Sequence, residues 1–335
     1  MNTSELVSLL KPETATIDQV MRQDLADVGN PLLAEVLEYA IFNGGKRVRP
    51  LLTVLAARLC WQRQGITPTA EQRSNLYHLS LAFEYLHAAS LLHDDVIDHA
   101  DRRRGRTTAN RVWDNTHVIL AGDFLHTRAM HLAGTIGGVD CLTTICQATQ
   151  AMVASEFLQL QNADNRERSQ ERYFEVLNGK TAALIAAATT CGAIAARAGR
   201  AEQEGLHTFG FNLGLTFQIV DDLLDYDGDR EKTGKAVGND FQEGKMTLPL
   251  ILALERAAAH DRETLLGLLH AHAEQRSEAF PQARAILVAS GGMQAARDQA
   301  QGLVNEATAA LAIFAKSPEQ EIMTALARYV LNREG

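Results

Sequence analysis

Between Pro68 and Pro249 the chain contains no proline, and that long interval constrains the fold more than any other feature. Proline inside a helix removes a hydrogen bond and clashes with the preceding turn, at a cost of about 3 kcal/mol. Its absence permits long helices, and the pattern within the interval asks for them. In "LYHLSLAFEYLHAASLLHDD" and "TTICQATQAMVASEFLQLQ" apolar residues recur at three- and four-residue steps, the spacing that lines one helix face. Alternating strand patterns with hairpin turns are absent. The expectation is an all-α fold, one domain over residues 1–335, with neither a fixed-period repeat nor a linker. At 46% hydrophobic, the 335 residues can bury a sizeable core. The net charge of −9 argues against a nucleic-acid partner. The longest weakly polar run, Thr181 to Ala196, falls short of the ~20 residues that a membrane span needs. The N-terminus lacks the basic start and apolar stretch of a signal peptide. Four cysteines, at 60, 141, 146 and 191, have no metal or redox spacing, so a cytoplasmic setting with inert thiols is expected.

Against this apolar background the stretch "LLHDDVIDHADRRRGR", Leu91 to Arg106, stands out. Asp94, Asp95 and Asp98 sit at the end of an apolar helix pattern, where repelling carboxylates are costly unless a cation lies between them. Asp94 and Asp98, four residues apart, share a helix face. The same pattern returns in "FQIVDDLLDYD" as Asp221, Asp222 and Asp225, on a different helix. One such triplet is commonly a solvated helix face; two at apolar helix ends favour a shared multi-metal site. Magnesium prefers carboxylate, water and phosphate oxygens, so the motifs call for a phosphorylated ligand to complete its shell.

Cations suited to that ligand stand nearby in sequence. "GGKRVRP" carries Lys46, Arg47 and Arg49 in a Gly-Gly turn; alone it would be a basic surface turn. Arg102, Arg103, Arg104 and Arg106 follow the first acidic motif, some of them simply neutralising it. "NGKTAAL" is not a nucleotide-binding loop, because Phe174 stands where such a loop needs glycine. It is expected to break a helix and turn Lys180 and Thr181 toward a cavity. Gln218, one turn before Asp221, can face the same way. The segment Tyr226 to Lys245, with four glycines and Lys232, Lys235 and Lys245, is expected to be a long irregular lid. The segment around Pro68 is expected to be an ordinary surface loop. No serine, cysteine or histidine nucleophile is paired with a base. Metal-assisted ionisation of an allylic diphosphate suits this inventory.

Taken in order, "GGKRVRP", "LLHDDVIDHADRRRG", "GDFL", "GKTA", "FQIVDDLLD" and "GKAVGNDFQEGKMTLPLI" resemble the trans-isoprenyl diphosphate (polyprenyl) synthases. The likeness runs from Gly44 through Pro249 at least. It implies helices packed around a deep central cavity and a homodimer. It also implies Mg2+, three ions per site with substrate bound, ligated by Asp94, Asp98 and Asp221. Asp95, Asp222 and Asp225 would assist directly or through water. Lys46, Arg49, His87 and Arg104 would hold isopentenyl diphosphate. Arg103, Lys180, Lys235 and Lys245 would hold the allylic diphosphate. Thr181 and Gln218 would place oxygen dipoles near the developing cation. His93 and His99 are left structural or solvated. The reaction implied is head-to-tail 1′-4 condensation. Product length would be set by Tyr85, Leu86, Ala89 and Ser90, upstream of Asp94. An isoprene unit spans about one helical turn, ~5 Å. The small Ala89 and Ser90, where short-chain members carry aromatics, imply a long product of about C30 to C50. The alternatives are a C20 or C15 synthase, a terpene cyclase, and a noncatalytic subunit of a heteromeric synthase.

Overall fold

The computed structural model describes residues 3–103, 105–165, 168–227 and 237–333. Helices dominate it, as the apolar spacing requires. The chain forms two compact units: Met1–Thr149 with Leu184–Gly210 and Ala310–Leu326, and Gln150–Ala183 with Phe211–Ala309 and Ala327–Gly335.

The first unit is organised on α3 (Val48–Gln64), in which Pro50 through Ala57 are all buried, together with Leu59, Cys60 and Trp61. A helix covered on every side is a core element rather than an amphipathic one. It packs on α4 (Ala70–Ile97), as do α1 (Thr3–Asp24) and α2 (Pro31–Ile41). Helix α4 begins at a reciprocal cap. Thr69 Oγ1 accepts from the Gln72 amide at 3.1 Å, and the Gln72 side chain accepts from the Thr69 amide at 2.8 Å. The cap closes the surface loop around Pro68. Helix α5 (Ala109–Val112) follows, and then α6 (Asn115–Asn165), broken at Gly138, whose φ of 72° is left-handed.

One local feature departs from expectation. Arg102–Arg103 and Arg106–Thr107 pair as a short antiparallel ribbon. Two residues per strand are too few for alternation to show, so only Gly105 (φ 77°) hints at the turn.

The second unit receives α7 (Gln170–Leu177), which runs through a π turn, Asn178–Ala182, into α8 (Ala183–Ala195). The break expected at Asn178-Gly179 is thus a widened turn, closed by the Ala183 amide donating to the Asn178 carbonyl. A Cβ on Gly179 would lie 1.8 Å from Ser155 Oγ and 2.4 Å from the Ala151 carbonyl, so only glycine lets α6 approach here. Helix α9 (Arg200–Asp227) carries the second acidic motif. Then come α10 (Asn239–Glu243), α11 (Leu248–Arg256), α12 (Ala259–His270), α13 (Ala273–Ala289), α14 (Gly292–Ala310) and α15 (Pro318–Leu331). Leu223, Tyr226, Phe241, Ile251, Leu265 and Leu287 belong to this unit's core. Proline marks helix starts only in part: Pro249 opens α11, but Pro12 and Pro281 lie inside α1 and α13. Of the expected lid, residues 228–236 lie outside the described residues; the rest contains α10, bracketed by left-handed Gly238 and Gly244.

Candidate active site

The first acidic cluster ends α4. Asp94 is half-buried, Asp95 is buried and Asp98, the C-terminal cap residue, is exposed. Adjacent residues differ by about 100° around a helix, so Asp94 and Asp98 share a face while Asp95 turns inward. Arg103 Nε donates to Asp95 Oδ1 at 2.7 Å, so this arginine neutralises one carboxylate of the motif. Arg106 instead donates to Asn43, and Arg102 to the Gly105 carbonyl at 3.3 Å. Arg104 lies outside the described residues.

In "GGKRVRP" the middle cation is the anchor. Arg47, with φ of 47°, donates to Asp18 Oδ1 and Glu84 Oε1, both at 2.7 Å, and to the Ile41 carbonyl at 2.8 Å. Burial alone would lower its pKa, but Glu84 and Asp18 more than offset that and raise it. Three helices thereby fix the turn that carries exposed Lys46 and half-buried Arg49. His87 is half-buried on α4, its carbonyl accepting from Ser90 Oγ at 2.9 Å. Of the length-setting candidates, Leu86 and Ala89 are buried and Ser90 half-buried. Tyr85 is fully buried and donates to Asp24 Oδ2 at 2.8 Å, and Arg128 holds the other Asp24 oxygen at 2.5 Å. Burial, and then Asp24, push the Tyr85 phenol far up, so it stays protonated. His93 sits 3.2 Å from the Ile119 carbonyl, and His99 is exposed.

The second cluster is more crowded. Asp221 is half-buried on α9, while Asp222 is 6% exposed. Asp222 Oδ2 accepts from the Tyr173 hydroxyl at 2.6 Å and Oδ1 from Gln218 Nε2 at 3.1 Å. Thr181 Oγ1 donates to Gln218 Oε1 at 3.2 Å, so the π turn and the acidic motif share one hydrogen-bonded chain. Asp225 accepts the amides of Asn239 at 3.2 Å and Asp240 at 2.9 Å, capping α10. Lys180 Nζ is 2.9 Å from both Glu156 Oε2 and Gln159 Oε1. Lys245 pairs with Asp240 at 3.3 Å and Glu243 at 2.7 Å. Lys235 lies outside the described residues.

Burial, followed by repulsion from Asp240, lifts Asp222 to about 7 and Asp225 to about 6. Asp240 is itself raised, chiefly by burial. Burial opposes the charge on Lys245, but Asp240 and Glu243 outweigh it and raise its pKa. Carboxylates pushed toward their neutral form lack positive charge, which a hard divalent cation would supply. The all-oxygen donor set fits magnesium. Among the described residues no group of three or more His, Cys, Asp or Glu is ready-made to hold a metal.

Asp240, Tyr173, Glu156 and Gln159 were not legible as site residues. Asp240 lies in the glycine-rich run, where its acidity was the only signal. Tyr173 has the spacing of any core aromatic on α7.

An all-α chain with two aspartate-rich helix ends and basic turns has the features of a prenyl-transferring enzyme. The Polyprenyl synthetase family pattern matches residues 30–287, and the chain belongs to that family. It is a transferase of the prenyl diphosphate synthase class. It is 34% identical to octaprenyl diphosphate synthase of Escherichia coli K12, over 100% of both chains. It is 32% identical to a short chain isoprenyl diphosphate synthase of Methanothermobacter thermautotrophicus, over 98% of this chain and 99% of the relative. The solved polyprenyl synthase from Caulobacter crescentus, complexed with calcium and isoprenyl diphosphate, superposes with a TM-score of 0.86. That protein is 35% identical, with 100% of this chain and 98% of the other covered.

Proposed function

We propose that this enzyme condenses isopentenyl diphosphate head-to-tail with an allylic diphosphate, with Mg2+, as a single polyprenyl synthase domain. The crowding of Asp221, Asp222, Asp225 and Asp240, of which Lys245 pairs with Asp240, carries this reading, since it calls for divalent charge and a phosphorylated ligand. Asp94, Asp98 and Asp221, none of them fully buried, supply oxygens to the metal, three ions with substrate bound; Asp95, Asp222 and Asp225 assist from protein-held positions. Magnesium, when bound, draws charge off the departing diphosphate. Lys46, Arg49 and His87, with Arg104, bind isopentenyl diphosphate. Arg103, Lys180 and Lys245, with Lys235, bind the allylic diphosphate. Oxygens of Thr181 and Gln218 stabilise the positive charge that develops as the allylic carbon–oxygen bond breaks.

The small, buried Ala89 supports a product of about C30 to C50, at one isoprene unit per helical turn. Exposed apolar residues on α6, Leu120 and Phe157 among them, support a homodimer. No helix among the described residues is long and apolar enough to cross a membrane. The free cysteines suit a cytoplasmic setting.

The test is incubation with Mg2+, farnesyl diphosphate and labelled isopentenyl diphosphate, followed by chain-length separation. Label in a prenyl ladder is expected. No incorporation by well-folded protein overturns the reading.

A further inference from the structure

Beyond the substrate contacts lies the question of what holds the Gln218 amide in one orientation. An amide can present either its oxygen or its NH2 group, and only the oxygen stabilises a cation. Asp222 decides the matter locally, because its Oδ1 accepts, and an amide oxygen in place of Nε2 would set two acceptors against each other. Gln218 gives Nε2 to Asp222 Oδ1 at 3.1 Å, which directs Oε1 to Thr181, 3.2 Å away. Asp222 in turn is fixed by one further donor, the Tyr173 hydroxyl, 2.6 Å from Oδ2. Both oxygens of this buried carboxylate are thus used, and neither is free to turn.

The π turn makes the arrangement possible. Tyr173 and Thr181 are eight residues apart on one continuous helical path. At about 100° per residue, an unbroken α-helix would set them about 80° apart around the axis. The Ala183-to-Asn178 bond spans five residues rather than four, so the turn absorbs one extra residue. The offset then falls to about 20°, and Tyr173 and Thr181 face the same side. That side meets α9, where Gln218 and Asp222 are one turn apart. Close approach is secured at Gly214, where a Cβ would lie 2.6 Å from Ala182 Cα.

We propose that Tyr173 is a positioning residue for the condensation. Its hydroxyl fixes Asp222, Asp222 fixes the Gln218 amide, and the π turn lets Thr181 and Tyr173 grip that pair from one face. The inference rests on the proposed prenyl transfer but adds a residue that touches no substrate. Replacing Tyr173 by Phe keeps the ring packing, leaves Asp222 Oδ2 buried without its donor, and frees the carboxylate to rotate.

The experiment measures steady-state condensation by Tyr173→Phe with Mg2+, an allylic diphosphate and isopentenyl diphosphate. A fall in kcat of about tenfold or more is expected, the scale of leaving one buried acceptor without its donor, with both KM values within about twofold. The deficit should widen with a 2-fluoro allylic diphosphate, whose cation is harder to form. In a Thr181→Val background the Tyr173→Phe effect should shrink, because both act through Gln218. Unchanged kcat, a pure KM effect, a fluorine-independent deficit or full additivity would each overturn the proposal. Should Tyr173→Phe fail to fold, Asp222→Asn is the second variant. Its amide can offer NH2 to Gln218 and turn it over, so an unchanged kcat there overturns the proposal equally. Wild-type protein that performs no condensation would instead sink the underlying reading.

Discussion

Within each DDxxD motif the aspartates differ in environment, although the sequence repeats them. Asp95 and Asp222 are buried and held by Arg103, Tyr173 and Gln218, while Asp94 and Asp221 are half-buried. Exposure to an incoming metal thus falls on Asp94, Asp98 and Asp221, whereas the middle member of each motif is buried. Asp94→Ala and Asp221→Ala are expected to reduce condensation by roughly a hundredfold or more, the scale of lost electrostatic stabilisation, with melting temperature nearly unchanged. Near-normal turnover in either variant would remove the metal assignment. Asp222 also links to stability. Its folded pKa of about 7 exceeds the ordinary 3.8, so the folded state holds an extra proton between those values. The stabilisation from that proton is complete below pH 3.8 and is lost as pH rises through about 7. In metal-free protein, the stability gained by Asp222→Asn over wild type should grow from pH 5 to pH 8, by a few kcal/mol at most. Calorimetry showing a pH-independent difference would refute it. Sequence spacing exposed the motifs but not this division of labour, because which aspartate turns inward depends on Tyr173 and Arg103, outside the motifs.

Among the elements, α4 and the π turn carry the most consequence. The apolar spacing of α4 was legible, since a helix face is a local pattern. Not legible was the tie of Tyr85 to Asp24 and Arg128, a contact between distant segments that turns a possible tunnel residue into an anchored one. Ala89 lies four residues beyond Tyr85 on α4 and is 4% exposed. Ala89→Phe adds a ring one turn before the acidic motif and should shorten the product ladder by one or more isoprene units, at about one turn each. An unchanged ladder would reject α4 as the ruler. The helix break at Asn178-Gly179 was visible as a polar interruption, but its widened form was not, because a π turn is set by what packs beside it. Gly179→Ala places a methyl group against Ser155 and the Ala151 carbonyl, so a loss of about 1–3 kcal/mol is expected in denaturant unfolding. A midpoint equal to wild type would show that α6 yields freely there.

For the molecule as a whole, the sequence determined fold class and family because both depend on ordered local motifs repeated along the chain. Association is different, since a surface that docks on a second copy needs no motif. Helix α6 exposes Val153, Phe157 and Leu160, at steps of four and three residues, so they line one stripe. Phe157 is 65% exposed, an unusual setting for a large aromatic in a chain with only 6% aromatic residues. A second copy meeting this stripe by two-fold symmetry would cover the same residues on both chains. If so, the wild type should sediment as a dimer, and Phe157→Glu, which sets like charges against each other across the axis, should shift it to monomer at micromolar concentration. Helical content should be retained, since the side chain contributes little to its own core. A monomeric wild type, or a variant that dimerises as tightly as the parent, would place the association surface elsewhere on the chain.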